Sequence, residues 1–194
     1  MGTTRLEAFS DGVIAILITI MVLDLRPPIG ERFETLLPLW PVFSSYVLSF
    51  LYLGIYWNNH HHMFHATRVV TGPILWANLH LLLWLSLIPF TTAWMGENHF
   101  AAAPSALYGM VLLMAAIAFW ILQQCIIRSQ GPHSLLRKAV GSDWKGKLSP
   151  VFYLLAIPAA FLWHWIAAAL YLFVALLWLV PDRRIERVLQ GSED

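Results

Sequence analysis

The stretch RLEAFSDGVIAILITIMVLDL, residues 5–25, places charged residues directly against a long apolar run. A membrane-spanning helix needs about 20 mostly apolar residues to cross about 30 Å of hydrocarbon. The uncharged run between Asp11 and Asp24 is shorter than this. A helix that crosses a membrane here must therefore place Asp11 and Asp24 near the two edges of the hydrocarbon layer.

The composition of the whole chain indicates a membrane protein. Of its 194 residues, 59% are hydrophobic and 12% are charged, and the mean hydropathy is +0.65. The apolar residues form long blocks, which predicts an all-α membrane protein with several spans. The net charge is only +1 and the aromatic residues do not alternate with Lys and Arg, so we expect no nucleic-acid partner.

Six membrane-spanning helices are predicted, in one domain that covers residues 1–194. The last apolar block, residues 148–180, is too long for one span and short for two at about 1.5 Å per residue. We divide it near Trp163 and Trp165, because Trp suits a membrane interface. The predicted spans lie at about residues 6–25, 39–59, 73–94, 104–127, 148–163 and 166–181.

The distribution of basic residues favours six spans. If the N-terminus is cytoplasmic, the outer segments contain only Arg26 and Arg32. Cytoplasmic segments of membrane proteins are enriched in Lys and Arg, so both termini are predicted to be cytoplasmic. The basic residues assigned to inner segments are Arg5, Arg68, Arg128, Arg137, Lys138, Lys145, Lys147, Arg183, Arg184 and Arg187.

The first predicted helix has two different sides. At about 100° per residue, one side presents an apolar stripe broken only by the hydroxyl of Thr19, whereas Ser10 and Asp11 point elsewhere. From the residues alone, such a stripe either faces lipid or packs against another helix. The stripe consists of Phe9, Gly12, Ile16, Ile20 and Leu23.

The carboxylate of Asp11 needs partners. An ionised acid within a membrane costs about 2.5–3.5 kcal/mol on insertion scales and is expected to face the interior of a helix bundle. The polar layer predicted around it either locks the helices together or has a gating or proton-sensing role, since His80 could titrate near neutral pH beside Asp11. Its predicted members are Arg5, Ser10, Asp11, Trp57, Asn78 and His80, with Phe9 beside them.

Four parts of the sequence resemble a known channel family. RLEAFSD, residues 5–11, resembles the RxxxFSD signature of the lysosomal potassium-channel family, transmembrane protein 175, in its prokaryotic single-repeat form. WNNHH at residues 57–61, Asn78, and LIPFTT at residues 87–92 are similar to the second and third helices of that family. The resemblance implies a potassium-selective cation channel of a prokaryotic cell membrane, without enzyme activity or cofactor.

The resemblance also implies an assembly and a set of site residues. Prokaryotic members are homotetramers, in which the first helices of four subunits line the pore and no carbonyl filter is present. The hydrophobic constriction falls on Ile16, with further apolar layers at Ile20 and Leu23. The hydroxyl layer associated with selectivity falls on Thr19. The expected permeant ion is K⁺, and protons are a second candidate.

The predicted outer surface has an acidic excess. This excess either concentrates cations at the mouth of a pore, with Asp24 at its edge, or is an ordinary solvated loop surface. The acidic side chains are those of Asp24, Glu31, Glu34 and Glu97, against the basic side chains of Arg26 and Arg32.

Two other functions remain open on sequence alone. A proton-coupled cation transporter is the closest alternative, because intramembrane Asp and His often form proton relays. A membrane-embedded metal enzyme is a more distant one. His61 and His65 share a helical face as metal ligands do, but no Cys or carboxylate lies nearby in the sequence, and histidines at an interface explain the pattern equally.

Overall fold

The computed structural model describes residues 3–67, 69–131, 134, 136–137 and 144–179. Within these ranges the chain forms helices and no strand, which confirms the predicted all-α class. Short 3-10 helices lie at Met21–Asp24 and Phe33–Leu39. The α-helices are α1 Thr3–Ile20, α2 Trp40–His65, α3 Gly72–Ser86, α4 Ile88–Glu97, α5 Ala102–Gln130, α6 Trp144–Leu162 and α7 His164–Leu179.

Among the described residues, four helical segments are long and apolar enough to cross a membrane, judged by length and composition. They are Thr3–Asp24, Phe33–His65, Gly72–Glu97 and Ala102–Gln130, and α7 is a shorter apolar helix. The third segment combines α3 and α4, which are separated only at Leu87. With α6 and α7, the described part of the chain therefore contains six long helical segments.

Proline explains one of the two helix interruptions in the apolar segments. Pro89 stands in the first turn of α4 and has no backbone N–H to donate, so the helix is broken just before it, at Leu87. The amide of Thr91 then donates to the carbonyl of Leu87 at 3.1 Å and starts the new helix. Pro158 lies inside α6, which continues past it to Leu162.

The second interruption is at Trp163, between α6 and α7, where the sequence also places the junction. The two helices pack against each other, so the chain reverses direction there. Part of the predicted last span, residues 180–181, lies outside the described residues. So do five of the predicted inner basic residues, namely Arg68, Lys138, Arg183, Arg184 and Arg187.

Helix α5 is central to the fold, since it packs against α3, α4, α6 and α7. Hydrogen bonds between buried tyrosines and backbone carbonyls join the helices in the interior. The hydroxyl of Tyr52 donates to the carbonyl of Tyr171 at 2.7 Å, and the hydroxyl of Tyr171 donates to the carbonyl of Ser105 at 2.9 Å. In an apolar solvent these groups would be costly to leave unpaired, so α2, α5 and α7 have one preferred register.

A second buried link joins α2, α4 and α5. The hydroxyl of Ser49 lies 2.6 Å from that of Thr92 and 2.9 Å from that of Tyr108. All three side chains are buried. Small hydroxyl residues at helix contacts allow close backbone approach, and these bonds fix which faces meet.

Helices α2 and α4 approach each other closely at Gly96. A methyl group added there would lie 2.9 Å from the Cα of Val42 and would also collide with the hydroxyl of Ser45. Glycine at this contact lets the two backbones meet, as small residues do in membrane helix pairs. This contact sets the position of α4, which packs in turn against α1.

We expect Gly96→Ala to lower the melting temperature of the purified protein, because the added methyl group meets backbone that cannot move aside. Overpacking of this kind costs about 1–3 kcal/mol. The matched control is Gly54→Ala on α2, where nothing lies within 4 Å of an added methyl group. Thermal unfolding should show the loss for Gly96→Ala and no loss for Gly54→Ala. Equal effects of the two changes would contradict the close contact.

Candidate pore-lining site

One side of α1 is packed into the bundle. Its buried residues are spaced by three or four positions, as a single face of a helix requires, and α1 packs against α2, α3 and α4. The buried residues on this side are Leu6, Ser10, Ile14 and Leu17, followed by Met21 in the adjoining 3-10 helix.

The opposite side of α1 is bare. Ile16 is 60% exposed and Leu23 is 77% exposed, whereas Ile14 is fully buried. Phe9, Thr19 and Ile20 are also exposed. The apolar stripe predicted from helical angle is therefore the face of α1 that no other part of the described chain covers.

Thr19 presents an oxygen to this bare side. Its Oγ1 lies 3.0 Å from the carbonyl oxygen of Ala15 and 2.9 Å from that of Ile16, so the hydroxyl hydrogen is donated to the helix backbone. The lone pairs of Oγ1 are then free to accept a hydrogen bond from water or to contact a cation. Thr19 thus places one oxygen that can accept a hydrogen bond or bind a cation on an otherwise apolar face.

A buried chain of hydrogen bonds holds the packed side of α1. The amide of Asn78 donates to the hydroxyl of Ser10 at 2.9 Å, and that hydroxyl donates to the carbonyl of Leu6 at 2.9 Å. The side-chain oxygen Oδ1 of Asn78 can only accept, so it accepts a hydrogen bond from Nε2 of His60 at 2.8 Å. Donation therefore runs in one direction from α2 through α3 to α1, and all three side chains are buried.

Asp11 has a separate partner. The indole Nε1 of Trp57 donates to Oδ1 of Asp11 at 3.0 Å, which joins α1 to α2 beside the buried chain. The carboxylate is half-buried at the edge of the bundle, and Arg5 is exposed one and a half turns earlier. One turn after Trp57, Nδ1 of His61 lies 3.5 Å from Oε1 of Glu7.

The residues predicted for the polar layer do not form a single hydrogen-bonded network. Ser10 and Asn78 lie in the buried chain, Trp57 contacts Asp11, and His80 accepts a hydrogen bond from Nε1 of Trp84 at 2.9 Å within α3. His60 was not among the residues predicted for this layer. The spacing of His60 from Leu53 and Phe64 puts all three on the buried face of α2, and this pattern could have predicted its position.

The histidines at the end of α2 stack on one another. The rings of His61 and His65 are 6.2 Å apart between centroids and close to parallel. Within the residues that the structure describes, no group of three or more His, Cys, Asp or Glu side chains is arranged to hold a metal ion. The weak metal candidates His61 and His65 therefore gain no further ligand from the fold.

Beyond the other end of α1, Asp24 closes the 3-10 helix and is exposed. The remaining acidic residues of the predicted outer surface, Glu31, Glu34 and Glu97, are exposed as well, as are Arg26 and Arg32. The acidic excess is therefore accessible to ions.

Comparison with known proteins identifies the class to which this fold and site belong. The family described as endosomal/lysosomal potassium channel TMEM175 matches residues 5–89. A potassium channel of Chryseobacterium sp. (strain P1-3) is 54% identical over 99% of this chain and 100% of its own length. The endosomal/lysosomal proton channel TMEM175 of Gallus gallus is 38% identical over 36% of this chain and 17% of its own length.

A solved structure agrees with these matches. The crystal structure of a lysosomal potassium-selective channel TMEM175 homolog from Chamaesiphon minutus superimposes with a TM-score of 0.80, covering 93% of this chain and 97% of that one at 26% identity. The molecule is a multi-pass membrane protein of the channel class. The chain belongs to the TMEM175 family of potassium channels. The resemblance seen in the sequence is confirmed, and the family consists of channels, not enzymes.

We expect Asn78→Ala to destabilise the protein, because it leaves Ser10 and Nε2 of His60 without their shared partner. Hydrogen bonds between membrane helices contribute about 0.6–2 kcal/mol each. The matched control is Asn98→Ala, since the exposed Asn98 amide only donates to the carbonyl of Trp94 in its own helical turn. Thermal unfolding in detergent should show a clear loss for Asn78→Ala and little change for Asn98→Ala. Similar melting temperatures for both variants would mean that the buried chain does not hold α1.

Proposed function

We propose that four copies of this chain form a potassium channel and that the bare side of α1 from each copy lines its pore. Each copy would cross the membrane of a prokaryotic cell six times, with both termini in the cytoplasm. The observation that supports this most directly is the exposure of Ile16, Ile20 and Leu23 on a helix whose other side is packed. These three residues lie within residues 5–89, the part of the chain that matches the family model.

The proposal of several copies follows from where α1 lies. Its described helix partners α2, α3 and α4 cover only the packed side. Lipid could cover the bare side of a helix, but membership of a potassium-channel family requires an ion pathway, and a symmetric ring of α1 helices provides one. Closed cyclic symmetry is the usual arrangement of identical subunits.

Ile16 is proposed as the constriction. A ring of isoleucine side chains offers no ligand to an ion, and a narrow apolar passage loses its water and stops conduction. Ile20 and Leu23 continue the apolar lining toward the other end of α1. A small change in the spacing of the α1 helices would therefore open or close the pathway.

Thr19 is proposed as the selectivity position. Its hydroxyl hydrogen is already donated to the backbone, so its oxygen can only accept or coordinate. An ion that has lost part of its water at the Ile16 ring would meet these oxygens, or waters held by them, about one helical turn later. K⁺ holds its water less tightly than Na⁺ does, so the same weak ligands compensate K⁺ more fully.

The polar residues behind α1 are proposed as its support. The buried chain through Ser10, Asn78 and His60 and the contact between Trp57 and Asp11 set the rotation of α1 about its own axis. That rotation decides which side chains point to the pore. In the same assembly the exposed Asp24 would lie at the outer mouth, where fourfold repetition of acidic groups raises the local cation concentration.

We expect Ile16→Asn and Thr19→Val to change ion flux in different ways. Purified protein in K⁺-loaded liposomes should favour K⁺ over Na⁺. Ile16→Asn should raise the flux by about tenfold and reduce the preference for K⁺, because amides keep the constriction wet. Thr19→Val should reduce the preference for K⁺ several-fold without opening the constriction, because the oxygen is lost and the shape is kept.

The controls make the same chemical changes away from α1. Ile166→Asn alters an exposed isoleucine of α7, and Thr35→Val removes a hydroxyl that likewise donates to the backbone, at 2.7 Å from the carbonyl of Arg32. Both controls should behave as wild type. Unchanged flux and preference in Ile16→Asn and Thr19→Val would exclude these residues from the pathway. Saturating flux that needs a counter-ion gradient would instead indicate a transporter.

Proton flux through the same pore is a second arm of this experiment. The animal relative named above is called a proton channel. A pH-sensitive dye inside the liposomes should report proton entry that increases together with K⁺ flux in Ile16→Asn if both ions use one pathway.

A further inference from the structure

A cavity of about 460 Å³ lies between α2, α5, α6 and α7, on a side of the bundle to which α1 contributes no lining residue. This volume is within the range of about 300–1,000 Å³ that is usual for small-molecule sites. The cavity is thus separate from the proposed pore.

One end of the cavity is basic. It is lined by Arg128 of α5, by Arg137 in the segment between α5 and α6, and by Lys147 of α6, and all three side chains are exposed. Among the described lining residues there is no Asp or Glu. The side chains of these three residues also make no ion pair or hydrogen bond within the described part of the chain, and three positive charges meet at one opening.

Contacts between helix ends show at which membrane face this opening lies. The side-chain amide of Gln130 donates to the backbone carbonyl of Ala66 at 2.9 Å, which joins the end of α5 to the end of α2. The end of α2 also meets the start of α1, where His61 contacts Glu7. The basic opening therefore lies at the same membrane face as the N-terminus, which is the predicted cytoplasmic face.

Deeper in the cavity, neutral polar groups lie next to aromatic ones. Gln123 is buried, and neither its amide nor the hydroxyl of Tyr56 has a hydrogen-bond partner among the residues described. Polar groups that face a cavity without a protein partner are suited to bind an acceptor on a ligand. A phosphate or glycerol ester oxygen is such an acceptor.

The far end of the cavity is apolar and open to the side. Ala116, Phe119 and Trp120 line it, and Trp120 is 57% exposed on the outer surface of α5. From Arg128 to Ala116 the helix rises about 18 Å at 1.5 Å per residue. This length exceeds that of a soluble phosphate and matches a polar headgroup followed by the first part of an acyl chain.

We propose that this cavity binds an anionic phospholipid of the cytoplasmic leaflet. The phosphate lies between Arg128, Arg137 and Lys147, the ester region meets Tyr56 and Gln123, and one acyl chain lies along Trp120. Arginine pairs with phosphate through two parallel hydrogen bonds, which makes the guanidinium groups the main ligands. Basic pockets between membrane helices are suited to such headgroups.

The test uses the full-length protein in a non-ionic detergent. Titration with short-chain phosphatidylglycerol should raise the melting temperature in a saturable way, because a ligand of the folded state stabilises it. Phosphatidylcholine of the same chain length and inorganic phosphate should each bind about tenfold or more weakly. Equal binding of phosphatidylcholine would overturn the proposal, and phosphate as strong as phosphatidylglycerol would assign the site to a soluble anion instead.

Variants connect the binding to the cavity. The triple change Arg128→Gln, Arg137→Gln, Lys147→Gln should weaken phosphatidylglycerol binding by about tenfold or more. Ala116→Trp, which fills the apolar end and keeps every charge, should weaken it as well. The control Arg26→Gln, Arg32→Gln removes exposed positive charges from the opposite face and should leave binding unchanged. Wild-type affinity in both the triple variant and Ala116→Trp would overturn the proposal, whatever the ion flux shows.

Discussion

The first helix can keep one face bare only because its other face is fixed by hydrogen bonds inside the bundle. Hydrogen bonds from His60 to Asn78 and from Asn78 to Ser10 join α2, α3 and α1. The indole of Trp57 adds a further hydrogen bond to Asp11. In a membrane, water is not present to replace these bonds, and an unpaired polar group is costly. Rotation of α1 about its axis would break them together. The direction in which Ile16 and Thr19 point is therefore determined by residues on the packed side of α1.

The rest of the fold keeps the partners of α1 in place. Buried tyrosine hydroxyls bond to the backbone of α5 and α7, and Gly96 lets α4 approach α2 closely. These contacts are far from the bare face, but they set the positions of α2 and α4, against which α1 packs. The basic cavity at Arg128 has no lining residue from α1, so a lipid bound there would contact the other helices and leave the bare face of α1 free.

The two faces of α1 could be predicted from the sequence because they depend only on the period of the helix itself. The break at Trp163 also has a local cause, since an uncharged block of this length cannot remain one span. The partners of the polar residues depend instead on how each helix is rotated against its neighbours, which a single sequence does not contain. His80 was expected beside Asp11, yet its hydrogen bond is to Trp84. The histidine that joins the buried hydrogen bonds is His60, which bonds to Asn78. Pro89 causes the interruption of the third segment at Leu87. From the sequence, a proline inside a span predicts a kink, but not whether the helix ends there.

In the proposed assembly, the α1 helices of neighbouring copies meet at an axis. Cys125 is the only cysteine, so single-cysteine proteins can be made in a Cys125→Ser background. Leu23→Cys would place a thiol on the bare face, and Leu162→Cys would place one at the end of α6, where the side chain is even more exposed. Mild oxidation of native membranes should join Leu23→Cys into disulfide-linked dimers in high yield and leave Leu162→Cys monomeric. Cross-linking confined to Leu162→Cys would show that α1 faces lipid and would contradict the account.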